Sequence, residues 1–289
     1  MVRIHCGDLP DLILRPDFGV MMKVLTYNVH GWLTPDGGAA NVDLLAEIIA
    51  ATGADMVGLN EVFQPWHAPA GPALKVLADS LGMTYAFGPT LPAEPAPTAV
   101  PYGNALLSRW PILAYATHHL APTVSYGQRG LLETRVLLPS GQPFTVYVTH
   151  LDHRSEAIRL QQWASANAWL LRDRGRPHLL LGDFNALAGV DYPAPETVEQ
   201  LKAYQIAQGW PVPAFDLIAQ VLKAGYVDAF ARAGRGPRPT WPSAAPERRI
   251  DYIFLPEVMA DRLVSCSRWD DPAALSASDH LPILAEFGG

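Results

Sequence analysis

Six separated places in the 289-residue chain set an acid, an amide or an imidazole at the end of, inside or just before a short apolar run. Val24-Leu25-Thr26-Tyr27 ends in Asn28, Met56-Val57-Gly58-Leu59 in Asn60-Glu61, and Thr145-Val146-Tyr147-Val148-Thr149 in His150. Leu179-Leu180-Leu181-Gly182 ends in Asp183-Phe184-Asn185. Asp251 lies within Ile250-Asp251-Tyr252-Ile253-Phe254, where a buried charge needs a partner, and Ser278-Asp279-His280 before the last apolar run can supply it. Carboxylates and amides suit a hard divalent cation, and an imidazole backed by an acid can hold or pass a proton. Hydrolysis of an anionic ester needs this combination, because the charge must be neutralised, a water oriented and the leaving oxygen assisted. Each place also has a structural reading: Asn28 as a strand end, Glu61 as a surface acid, Asp183 and Asn185 as a turn, Asp279-His280 as a cap. Recurrence of polar groups at one structural position outweighs these. A rival set of zinc ligands, His118, His119, His150 and His153, lacks any cysteine.

The elements that must position these groups follow from periodicity. Apolar runs rich in β-branched and aromatic residues predict strands over 23–28, 56–60, 104–108, 131–138, 144–149, 178–181, 250–255 and 282–287. Asn41 is expected to cap a helix whose apolar face uses Leu44, Leu45, Ile48 and Ile49. Ser155 opens another, running to about Leu171 with Ile158, Ala166, Trp169 and Leu170 inward. Two more are expected over 196–208 and 215–224, closed by Gly209 and Gly225. Strands alternating with helices define a layered α/β protein, in which ligands gather at the carboxyl edge of the strands. No long polar linker divides the chain, so 21–289 is read as one catalytic domain and 1–20 as an N-terminal extension. The proline-rich stretch 89–101 and the irregular 191–195 are expected to be surface loops.

Composition narrows the partners. With 49% hydrophobic and 17% charged residues the chain reads as globular. A net charge of -7 counts against non-specific coating of nucleic acid, which relies on many cations meeting phosphates. Arg232, Arg235, Arg238, Arg248 and Arg249 crowd one stretch, read as a solvated loop with a local basic patch as the alternative. Two cysteines, Cys6 and Cys266, fit a reducing compartment, and no apolar run reaches the roughly 18 residues of a membrane span. A cytoplasmic monomer is expected.

The series Thr26-Tyr27-Asn28-Val29, Gly58-Leu59-Asn60-Glu61-Val62, Gly103-Asn104-Ala105-Leu106-Leu107-Ser108-Arg109, Thr149-His150-Leu151, Gly182-Asp183-Phe184-Asn185, Arg249-Ile250-Asp251-Tyr252 and Ser278-Asp279-His280 resembles the motifs of the endonuclease/exonuclease/phosphatase superfamily. The resemblance covers about residues 22 to 287 and implies a four-layer α/β/β/α sandwich of two mixed β-sheets. It implies Glu61 as principal ligand of Mg²⁺, with Mn²⁺ as a substitute, and Asn28 and Asp279 beside the metal or its waters. Asp183 would orient or deprotonate the attacking water, Asn185 would contact the phosphate, and Asp251 would hold His280 and keep it basic. His150 would bond a phosphoryl oxygen or assist the leaving group. Asn104, Arg129, Arg154 and Trp241 are the expected substrate contacts, while Arg159 and Gln162 are expected to brace the fold.

Apurinic endonucleases carry an acid two residues after the first Asn and a Tyr in the Thr-His motif. This chain has His30 and His150, which disfavours abasic DNA. The expected substrate is a small or lipid-like phosphoester, with nucleic acid or a DNA end as the second class and a non-catalytic binding protein on the same fold as the rival.

Overall fold

Alternation along the apolar runs decides the layering. In β1 (Met22–Asn28) Met22 and Val24 face one core and Leu25 and Tyr27 another, so the strand is buried on both sides. The structure, a computed structural model, is described for residues 19–289 except 65, 66, 69, 70, 91–100, 124–126, 208 and 210, with the side chains of 67 and 68 also left aside. Cys6, most of the expected extension 1–20 and most of the loop 89–101 therefore lie outside the described residues.

In chain order the further elements are α1 (Val42–Thr52), β2 (Met56–Phe63), β3 (His67–Ala68), β4 (Gly71–Pro72), α2 (Ala73–Leu81), β5 (Thr84–Pro89), β6 (Tyr102–Ser108), β7 (Ile112–His119), β8 (Gly130–Leu137) and β9 (Pro143–His150). There follow α3 (Glu156–Leu170), β10 (His178–Asp183), α4 (Pro195–Ala207), α5 (Asp216–Lys223), β11 (Tyr226–Asp228), α6 (Ala229–Ala233), β12 (Gly234–Arg235), β13 (Asp251–Pro256), β14 (Leu263–Arg268), α7 (Ala274–Ala277) and β15 (Ile283–Phe287). One mixed sheet has the order β12-β14-β15-β1-β2-β6-β5 and the other β11-β13-β10-β9-β8-β7. Val24, Met56 and Leu106 of the first sheet meet Val146, Val148 and Leu181 of the second in a central core. The helices α1 and α2 cover the outer face of the first sheet through Leu45, Ile48, Leu74 and Leu77. On the other side, α3 and α5 cover the second through Trp163, Ala166, Leu217 and Ile218. The architecture is the expected four-layer sandwich of two mixed sheets flanked by helices. No helix among the described residues is long and apolar enough to cross a membrane.

Several local expectations are corrected. Asn41 stands at the N-cap position of α1 but makes no side-chain cap; its amide donates to the carbonyls of Val29, Leu33 and Ala277 instead. Ser155 does cap α3, accepting from Ile158 N. The buried aromatic of that helix is Trp163, whereas Trp169 is 38% exposed and stacks on His118. Arg159 and Gln162 brace the fold as expected, holding Asp152 O and Asp152 N. The arginine-rich stretch is not simply a solvated loop. Arg249 is buried against Asp191 and Asp228, and Arg248 lies over the rings of Tyr204 and Trp241. Strands β5, β7 and β14 carry no clear sequence signal; β7 is mostly exposed at a sheet edge, so the apolar alternation that marks a strand is absent.

Candidate active site

Strand register assembles the site before any side chain is considered. In the second sheet Asp183 pairs with His150 on one side and Asp251 on the other, which sets three polar groups in a row across adjacent strands. In the first, Asn28 pairs with Asn60. Both rows lie at the same rim of the sandwich, because β1 and β2 run parallel, β9 and β10 run parallel, and β13 enters the rim at its first residue.

Glu61 reaches the rim through a β-bulge. The register of β2 against β6 shifts between Leu59 and Val62, and Glu61 takes a left-handed φ of 59°. An extra residue re-aims a side chain that strict alternation would turn elsewhere, and such strain concentrates at functional sites. His30 and Asn185, also in the site, have φ of 50° each. Gly182 precedes Asp183 at φ +136°, where an added Cβ would lie 1.9 Å from the Thr149 carbonyl oxygen. Only glycine allows the approach of β10 to β9 that sets Asp183 beside His150.

The side chains converge closely. Asn28 Nδ2 donates to Glu61 Oε1 and to Asp183 Oδ2, both at 3.1 Å, and lies 3.4 Å from His280 Nε2. His280 Nδ1 donates to Asp251 Oδ2 at 2.9 Å, and the same oxygen accepts from Thr240 Oγ1 at 2.6 Å. His280 Nε2 is 3.7 Å and His150 Nε2 3.5 Å from Asp183 Oδ2. Asn185 Nδ2 is 3.0 Å from His150 Nε2 and also donates to Leu151 O. Asp279 is held by His30 Nδ1 at 3.1 Å and by Trp241 Nε1 at 3.1 Å. These groups line or back a cleft of about 1450 Å³.

The two histidines are driven in opposite directions. Burial depresses His150 well below the usual histidine range, and the nearby Arg129 guanidinium adds to that effect. Burial would also depress His280, but Asp251 and Asp183 outweigh it and raise the imidazole to about 10. Asp183 is pushed up to about 7 by burial and by Asp251, with His280 opposing. Asp279 is brought down to about 2: burial opposes the shift, and the His30 hydrogen bond and the charge of His280 overcome it.

Two groupings can hold a cation. Ligand atoms of Asp183, Asp251 and His280 all lie within 4.8 Å of one another. That grouping is fully buried and includes an imidazole already committed to Asp251, which suits a softer ion than Mg²⁺. Glu61, half-buried on the cleft wall, offers carboxylate oxygens with room for the waters that Mg²⁺ keeps, while Asn28 turns its amide nitrogen to Glu61 and its amide oxygen to His30 N. The donor set there fits a hard divalent cation. The four-histidine zinc arrangement does not form. His118 is engaged by Glu133 at 2.7 Å, His119 faces the Pro89 carbonyl, and His150 and His153 both face Arg129.

Among the expected substrate contacts, Arg129, Arg154 and Trp241 line the cleft. Asn104 does not; it is buried behind it, accepting from Asn60 Nδ2 at 2.8 Å and donating to Gly130 O at 3.0 Å. Asn60 itself was not singled out as a site residue by sequence, yet it joins the two sheets. Its Oδ1 accepts from Asp183 N at 2.9 Å and its Nδ2 donates to Thr149 O at 2.9 Å. Tyr102, 3.0 Å from His150 Nδ1, also escaped notice because it opens β6 ahead of the apolar run. The only available signal for Asn60 was an amide next to Glu61, which does not distinguish a brace from a ligand.

A rim of paired sheets that gathers acids, amides and two electrostatically opposed imidazoles around a cation-compatible cleft is an arrangement suited to metal-assisted hydrolysis. The chain belongs to the endonuclease/exonuclease/phosphatase family, whose profile matches residues 25–280. Members of that family are phosphoester hydrolases that typically use divalent metals. The uncharacterized protein YbhP of Escherichia coli strain K12 is 28% identical over 282 residues, covering 92% of this chain and 95% of that protein. An endonuclease/exonuclease/phosphatase protein of Beutenbergia cavernae DSM 12333 superposes with a TM-score of 0.72 at 24% identity, over 93% of this chain and 72% of that one. A mannosyl-6-phosphatase of Bacteroides thetaiotaomicron VPI-5482 does so at 0.67 and 17% identity, over 93% of this chain and 100% of that one. At these identities the structural likenesses establish the fold.

Proposed function

We propose that the protein is a Mg²⁺-dependent hydrolase of phosphoester bonds, a phosphodiesterase or phosphatase, with Mn²⁺ as a substitute ion. One observation carries this reading: a single nitrogen, Asn28 Nδ2, touches Glu61, Asp183 and His280 at once, so the cation-type and base-type groups share one point. Glu61 would hold the ion with Asn28 and Asp279 beside it, and the ion, when bound, would neutralise charge on the phosphoryl oxygens. Asp183, fixed by Asn185 N on one oxygen, presents the other to the cleft between His150 and His280, where it orients an attacking water and takes its proton. Asp251 holds His280 in register with Asp183. Asn185 and His150 face the phosphoryl oxygens, and Arg129, Arg154 and Trp241 contact the remainder of the substrate.

Phe63, Leu187, Val212 and Ile250 on the cleft wall favour a small or lipid-like phosphoester. Arg154 and Trp241 on the same wall support nucleic acid or a DNA end as the second class. A binding protein without turnover would have no use for the matched set around Asp183. We further propose a cytoplasmic monomer with 21–289 as its single catalytic domain. The test is turnover of bis-p-nitrophenyl phosphate with Mg²⁺ or Mn²⁺, followed by a screen of nucleotides, sugar phosphates, phospholipids and DNA. Asp183→Ala and His280→Ala should lose turnover while retaining the parental circular dichroism spectrum. Parental rates in either folded variant would refute its assigned role.

A further inference from the structure

His150 is gripped from behind by a cation. Its Nδ1 lies 2.9 Å from Arg129 Nη1, and Arg129 is buried in the wall of the cleft. The same guanidinium donates to the Tyr102 hydroxyl at 3.3 Å and faces His153 Nδ1 at 3.3 Å. A guanidinium only donates and stays protonated, so the imidazole nitrogen it addresses must present a lone pair. Nδ1 of His150 is therefore the acceptor and the ring proton sits on Nε2. His280 is built the opposite way, since a carboxylate holds its Nδ1 and calls for a proton there.

The consequence lies on the cleft side. His150 Nε2–H stands 3.0 Å from Asn185 Nδ2, whose orientation is set because it also donates to the Leu151 carbonyl. Two N–H donors thus stand side by side and neither can accept from the other. One anionic oxygen facing both is their complement. We propose that Arg129 is a positioning residue that locks His150 as the neutral Nε2–H tautomer, making His150 a hydrogen-bond donor to a phosphoryl oxygen rather than the acid that protonates the leaving group. A second ring proton on Nδ1 would point toward the guanidinium and compete with it for the Tyr102 hydroxyl, 3.0 Å away, to which Arg129 Nη1 already donates.

The catalytic half of this inference rests on the hydrolase reading; the tautomer does not, which separates the two tests. Histidine ring-nitrogen NMR on isotopically labelled full-length protein, with the His150 signal assigned by its loss in His150→Gln, should show a protonated Nε2 and a bare Nδ1. In Arg129→Met the pattern should shift toward a mixture of tautomers, and Arg129→Lys, which keeps a cationic donor, should restore it in part. With bis-p-nitrophenyl phosphate, Arg129→Met should lower kcat about tenfold, the lower end of the about ten- to hundredfold loss seen when a metal-bound histidine loses its orienting partner, and the fall in kcat should exceed any rise in KM, since Arg129 also lines the substrate cleft. A proton on His150 Nδ1 in the parental protein, or an unchanged pattern in folded Arg129→Met, would overturn the proposal whether or not the protein hydrolyses any ester.

Discussion

Replacing Asn60 by Asp changes one atom and should damage stability and the site together. The Asn60 side chain is fully buried and makes three hydrogen bonds, two across the sandwich, accepting from Asp183 N and donating to Thr149 O, and one within its own sheet, donating to Asn104 Oδ1. In the aspartate variant the acceptance from Asp183 N can persist, but both donor bonds become contacts between oxygens. A buried acceptor stripped of its donor costs about 1–3 kcal/mol, so two of them cost about 2–6 kcal/mol. The variant carboxyl also sits close behind Asp183, so it should bind a proton rather than carry charge, which lets it recover at most one of the two bonds. A net loss of about 3 kcal/mol corresponds to a Tm lowered by about 5 °C for a chain of this size. Thermal unfolding followed by circular dichroism reads this directly, and turnover of the folded variant below its transition reports whether Asp183 has moved. A Tm within about 1 °C of the parental value would mean that these bonds do not hold the strands of the site together, since each is expected to be worth at least about 1 kcal/mol.

Glu61→Ala should weaken Mn²⁺ or Mg²⁺ binding at least about tenfold by calorimetry without a change in fold, and chelation should abolish parental turnover; unchanged affinity would move the ion to the Asp183, Asp251 and His280 grouping. Arg249→Met should cost about 3–5 kcal/mol in urea unfolding, because Asp191 and Asp228 lose a buried partner that they grip at 2.8 and 2.7 Å. His178 is depressed below the ordinary histidine value by burial, with Nε2 accepting from Tyr226 OH at 2.8 Å. The unfolded state then takes up a proton more readily, so the stabilisation from a neutral His178 is complete above about pH 6.5 and is lost as pH falls below it. His178→Gln should flatten the urea midpoint between about pH 7 and pH 5 relative to the parental protein; parallel curves would remove His178 from the acid sensitivity.

Much of the fold was legible because the buried strands are short apolar runs with a hard polar stop. β1, β9 and β10 end where Asn28, His150 and Asp183 interrupt them, and local chemistry alone marks those boundaries, whereas β2 runs on past Asn60-Glu61 to Phe63 through the bulge. The edge strand β7 and the polar-surfaced β14 were not legible, since an exposed strand has no need of apolar alternation. Helix α3 was located by its cap, but its inward face was misread at Trp169, because a large aromatic can be served as well by a surface stack on His118 as by the core.

By itself the sequence determined which residue types stand at the strand ends and therefore which chemistry the rim can support. Only the tertiary structure decided their division of labour. Asn28 and Asn60 carry the same amide at paired positions of neighbouring strands, yet one faces Glu61, Asp183 and His280 and the other ties Asp183 N to Thr149 O from behind. His150 and His280 are the same imidazole, set apart by Arg129 behind one and Asp251 behind the other. Such roles depend on partners far away in the chain, through register, a bulge at Glu61 and the packing of one sheet on the other, and no local pattern encodes the direction from which a distant side chain arrives.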